Sequence, residues 1–215
     1  MSLFCLLYIP LLYFLRRWPS AGGWPSAERE GVWGLPLGAV AVAARHLFGP
    51  LAPPGGFGFS RWLSGFFEIV SLPVIISFAL CALLVKLRTL PADVSYADFA
   101  LQYLIPLAAY RSVNWISPGH PEFLVVVPVL WTAQAVGIPF FFGLVAKNTR
   151  WYVLFVLSLG VSLLPVAAAT AWWAFYCQRP IVGLVLLFVS IIPAAVSVIL
   201  DFSRHKEGNR NKIWN

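Results

Sequence analysis

The hydrophobic positions of this chain run in long unbroken blocks rather than in strand-like alternation. Three of them, residues 123–146, 151–176 and 180–202, follow one another with only a few polar residues between. Each is long enough to cross a hydrocarbon layer of about 30 Å as a helix of roughly 20 residues. The same pattern predicts a helix over 62–85, flanked by Arg61 on one side and by Lys86 and Arg88 on the other. A shorter, more polar helix is expected over 96–116, where Asp98 and Gln102 lie one turn apart on one face. An apolar run over 2–15 stands before Arg16 and Arg17, the reverse of a secretory signal's charge order, and reads as an uncleaved anchor helix. The segment 31–52 contains Arg45 and His46 and is followed by Pro50, Pro53 and Pro54. It is expected to cross with Arg45 reaching to the interface, a re-entrant or surface-lying segment being the alternative. Pro19 and Pro25 are expected to stop any helix between Arg16 and Glu30, and the polar, basic tail 203–215 to fray.

The predicted fold is therefore all-α. It is a polytopic transmembrane helical bundle forming one integral membrane domain over 1–202, with about seven spans, or six if 31–52 is re-entrant. Composition narrows the class further. With 60% hydrophobic and 11% charged residues and a mean hydropathy of +0.81, the chain has too little polar surface to coat a soluble globule. About seven helices of roughly 20 residues would take about 140 of these 215 residues, so no soluble catalytic domain is expected beside the spans.

The net charge of +7 would suit nucleic acid, but Lys and Arg stand in twos and threes at the ends of apolar runs, where lipid headgroups lie. The expected partner is the lipid bilayer, with membrane-protein partners or a homo-oligomer as further candidates and no nucleic acid. If all seven segments cross, one side receives Arg16, Arg17, Arg29, Lys86, Arg88, Lys147, Arg150, Arg204, Lys206, Arg210 and Lys212. The other side receives Arg45, Arg61, Arg111 and Arg179. Eleven against four puts the N-terminus outside and the C-terminus in the cytoplasm, as expected for a multi-pass protein of a bacterial cytoplasmic (inner) membrane.

Every proposed span contains proline, and three prolines share a setting. Pro73, Pro165 and Pro193 each follow a Val-Ser pair, at Val70-Ser71, Val161-Ser162 and Val189-Ser190. A helix-interior proline removes one backbone hydrogen bond, so these three are expected hinges or kinks. The serine one turn earlier can bond a nearby carbonyl, and the alanines that follow Pro165 and Pro193 permit close approach of helices.

Signatures of catalysis are missing. His46, His120 and His205 are far apart with no HExxH, and neither a GxSxG turn nor a GxxxxGK[ST] loop occurs. Cys5, Cys81 and Cys177 form no CxxC; Cys5 and Cys177 fall on the same predicted face, and spacing leaves their pairing open. No catalytic residue, metal site or cofactor is expected. What remains is a set of polar residues at membrane depth, where an ionisable group is costly and marks a candidate site. Glu68 reads either as an interfacial acid paired with Arg61 or Arg111 or as a proton- or cation-linked carboxylate. Asp98 is expected to complement the N-terminus of its helix, with Gln102 deeper. Thr132 and Gln134 beside Trp131 read either as interhelical glue or as a solute-contacting patch, and Arg111 stands near the outer entrance. The expected function is a small-solute transporter or permease-type component without its own ATPase. A non-catalytic subunit or scaffold of a membrane complex is the alternative, and an intramembrane enzyme comes third.

Overall fold

The computed structural model describes residues 24–48, 58–91, 94–114, 122–147 and 150–213, and among them every long element is a helix. We label the six helices α1 (Trp24–Phe48), α2 (Phe59–Lys86), α3 (Tyr96–Asn114), α4 (Phe123–Lys147), α5 (Trp151–Tyr176) and α6 (Pro180–Ile213). Four contain stretches long and apolar enough to cross a membrane: Phe59–Lys86, Phe123–Phe142, Ser158–Tyr176 and Pro180–Leu200. The apolar run 2–15 and Cys5 lie outside the described residues, whereas Cys81 is buried and Cys177 exposed.

Two expectations about helix ends are corrected. Pro25 does not stop a helix; it sits in the first turn of α1, where its missing N–H would have had no intrahelical partner anyway. The segment 203–213 continues α6 as helix to Ile213, since propagating a formed helix costs far less than nucleating one.

The helix ends follow local chemistry. α3 opens on a capping arrangement in which Asp98 N–H donates to Ser95 Oγ at 3.3 Å, and Asp98 itself occupies the first turn. α2 and α5 end alike. Arg88 (φ 57°) and Gln178 (φ 56°) take the left-handed conformation, and the next amides, of Thr89 and Arg179, reach back to the carbonyls of Leu84 and Ala174 at 2.9 Å. This paired closure satisfies carbonyls that the helix leaves open. Pro180 then starts α6 with its φ already set.

Close contacts fix the relative directions. Gly34 of α1 lies against Phe99 and Gln102 of α3, and Gly38 against Tyr103 and Pro106, so α1 and α3 run parallel. A β-carbon at Gly34 would stand 2.8 Å from Gln102 Cβ, and one at Gly38 would meet the Tyr103 carbonyl oxygen itself. The Gly34-x-x-x-Gly38 spacing is what lets the two backbones approach. Gly137 of α4 meets Leu164 of α5 while Gly160 of α5 meets Phe141 of α4, which makes that pair antiparallel. α4 is the central helix, packing against α2, α3, α5 and α6. Its residues Val127, Leu130, Trp131 and Ala135 form the middle of the core. α6 instead packs on α4 and α5 and leaves Ile181, Phe188, Ile192 and Ile199 exposed on its outer surface.

One end of the bundle is aromatic. Phe123 at the start of α4 stacks on Trp172 near the end of α5, with ring centroids 5.8 Å apart. Trp172 stacks in turn on Tyr176, whose ring carries the Arg61 guanidinium 4.6 Å from its centroid. Trp172 also lies directly over Gly65 of α2, a contact that no side chain at that position would allow.

Candidate functional site

Among the described residues, the backbone departs most from a regular α-helix in the middle of α2. Residues Gly65–Ser71 form a π-helical stretch, and the chain returns to α-helix at Leu72 with Pro73 in its first turn. Proline has no N–H to give to the carbonyl four residues earlier, here that of Ile69. A wider turn before the proline relieves the ring's clash with that carbonyl, which still lacks the amide that residue 73 would give it in an α-helix. α4 supplies the donor: Trp131 Nε1–H donates to the Ile69 carbonyl at 2.8 Å. Gln134, one turn further along the same face of α4, donates through Nε2 to the Val70 carbonyl at 3.2 Å and to Leu130 of its own helix at 3.3 Å. Two donors from one helix therefore serve two consecutive carbonyls of another. Because Ile69 pairs with Trp131 and Val70 with Gln134, α2 and α4 run parallel.

This junction is not fully satisfied. Gln134 is 0% exposed, and its Oε1 finds no donor among the described residues. Ser71 Oγ, also 0% exposed, finds no partner there either. The other two serines of the repeated Val-Ser-Pro setting do bond back along their helices, Ser162 to the Ser158 carbonyl at 3.0 Å and Ser190 to the Leu186 carbonyl at 2.9 Å. Ser71 differs because the π-helical stretch shifts the carbonyls a turn earlier out of α register.

A second feature is a cavity of about 320 Å³ between α3, α4 and α6. Its walls are two helical stripes, Val129, Thr132, Ala133 and Val136 of α4 and Ile191, Ala194, Ala195, Val198 and Ile199 of α6, closed on one side by Leu101 of α3. Thr132 contributes the single hydroxyl of this lining, and that hydroxyl donates to the Pro128 carbonyl at 2.8 Å. The cavity thus offers shape and apolar surface but no spare donor.

The candidate residues are spread over three places. Gln134 belongs to the π-helical junction and Thr132 to the cavity; two residues apart on a helix, they point to nearly opposite sides, so they form no common patch. Gln102, buried, lies at the α1–α3 crossing against Gly34. Glu68 falls within the π-helical stretch and Arg111 within the last turn of α3, and the side chains of both lie outside the described residues. Among the described residues no group of three or more His, Cys, Asp and Glu could hold a metal ion. Sequence reasoning missed the acceptor half of the junction, the carbonyls of Ile69 and Val70. The spacing of Trp131 and Gln134, i and i+3, was the available sign of two polar groups aimed at one neighbour. Comparison with protein-family models, with curated proteins and with solved structures gave no match.

Proposed function

We propose that the protein is a multi-pass integral membrane component of permease type, without an ATPase of its own, in which the cavity between α3, α4 and α6 receives a small apolar solute. The observation that carries this reading is the cavity itself. Its volume lies at the lower end of the roughly 300–1,000 Å³ typical of ligand pockets, and it sits at the depth of the apolar stretches of α4 and α6. Its lining favours a solute that needs no hydrogen bond, because the Thr132 proton is already committed. In this reading the run 2–15 and α1 to α6 are the seven spans, four of the helices containing stretches long and apolar enough to cross. Orientation is supported by charge. Lys86 and Lys147 close α2 and α4 at one end, and Arg150 precedes α5 there, which favours a cytoplasmic position for that end and an external one for the aromatic end.

A direct test is to titrate the purified full-length protein with fluorobenzene and follow its ¹⁹F resonance. A bound signal is expected in the wild type and its loss in Ala133→Phe, which fills the cavity from α4, at an unchanged melting temperature. No bound signal in the wild type would overturn the proposal. A second reading, a non-catalytic subunit of a membrane complex, draws on the exposed residues of α6: Ile181, Phe188, Ile192 and Ile199 suit a partner helix as well as lipid. A stoichiometric partner co-purifying from the native membrane, lost on Phe188→Ala, would move the assignment there.

A further inference from the structure

The surroundings and size of the cavity between α3, α4 and α6 narrow what can occupy it. Its open side lies along α6, where Ala195, Val198 and Ile199 are exposed, and continues into the exposed apolar surface of the same helix at Phe188 and Ile192. The lining positions of α4 and α6 fall inside Phe123–Phe142 and Pro180–Leu200, two of the stretches apolar enough to cross a membrane. In the membrane-embedded reading proposed above, on which this inference rests, the opening faces hydrocarbon rather than water. Matter that enters from that side is apolar, and a void left empty there forfeits dispersion contacts along its whole wall.

Volume then selects among apolar occupants. A partner helix, about 10 Å across with its side chains, would meet this surface as a whole face and put only single side chains into the 320 Å³ space. A flexible chain fits: at about 30 Å³ for a water-sized group, the space takes roughly ten methylenes. We propose that the cavity takes the terminal segment of one acyl chain of a bilayer phospholipid, entering sideways past Ala195 and Val198, and that the solute handled by this protein is a membrane amphiphile presented chain first. Thr132 in this arrangement is a wall residue whose hydroxyl is turned back to its own helix.

The test uses the full-length protein in vesicles of phosphatidylethanolamine and phosphatidylglycerol, a fraction of which carries a diazirine near the end of one acyl chain. After photolysis, crosslinks are expected on Ala133 and Val136 of α4, which are buried and out of reach of lipid that merely coats the bundle. Ala195→Trp, which narrows the mouth, is expected to lower α4 labelling at least fivefold while labelling of Phe188 stays constant. Val198→Trp provides a second closure should the first variant melt early. Wild-type crosslinks confined to the exposed face of α6 would overturn the proposal. Labelling of Ala133 by a diazirine fatty acid but not by the phospholipid would overturn the lipid as its source. If neither labels α4 while fluorobenzene still binds, the acyl-chain inference fails and the permease reading stands.

Discussion

Replacing Trp131 by Phe probes the π-helical junction most directly. The substitution keeps an aromatic ring in a site that is 0% exposed but removes the indole N–H from the Ile69 carbonyl, 2.8 Å away. A buried acceptor left without a donor costs about 1–3 kcal/mol, while interhelical hydrogen bonds in membranes average about 0.6 and reach about 1.7 kcal/mol. A value of about 1–1.5 kcal/mol for the lost bond satisfies both. The smaller ring adds about 1–2 kcal/mol for the space it leaves, for a total of about 2–3.5 kcal/mol. The hydrogen-bond share depends on Pro73. In a Pro73→Ala background the amide of residue 73 can serve Ile69 from within α2, so Trp131→Phe should cost only the packing share. A double-mutant cycle, read from reversible unfolding of the full chain in mixed micelles, should give a coupling of about 1 kcal/mol or more. Equal costs of Trp131→Phe in both backgrounds would refute the idea that Trp131 replaces the donor that proline removes.

Three further outcomes follow from the same packing. Gln134→Leu gives up two long hydrogen bonds but also removes an Oε1 buried without a donor among the described residues; stability in the same unfolding assay should stay within about 1 kcal/mol of wild type. A loss above about 2 kcal/mol would mean that Oε1 has a partner. Gly38→Ala drives a methyl group into the Tyr103 carbonyl and against the Pro106 ring, so α1 must move off α3, at about 1–3 kcal/mol by thermal melting; an unchanged melt would contradict the close crossing. With Cys5 replaced by alanine, an impermeant maleimide should label exposed Cys177 on intact cells and leave buried Cys81 unreacted. Labelling of Cys177 only after permeabilisation would reverse the orientation.

The helical class was legible because hydrophobic blocks some 20 residues long leave a chain in hydrocarbon few options besides helix. Local punctuation was read less well. Pro25 looks like a breaker, yet at the first turn of α1 it costs nothing. The Gly34 and Gly38 pair carried the α1–α3 crossing in plain view, as two small residues four apart. Ser95 and Asp98 likewise announce the start of α3. The π-helical stretch has no comparable mark, because its cause is divided between Pro73 on one helix and Trp131 and Gln134 on another. Thr132 and Gln134 are neighbours in sequence and look like one polar cluster, whereas helical rotation sends one to the cavity and the other to α2. The cavity was invisible for a different reason: it is made of ordinary apolar residues whose meaning lies in the space between helices.

The dependence of α2 on donors from α4 also sets an order of events during synthesis. Trp131 lies 62 residues after Ile69, an interval that takes roughly 3–12 s at about 5–20 residues per second. Throughout that interval the Ile69 carbonyl has neither the amide that Pro73 lacks nor the indole donor that α4 brings. Until α4 packs against it, the π-helical stretch of α2 lacks its outside support. The geometry of α2 around Pro73 is thus completed by a contact that lies well downstream in the chain.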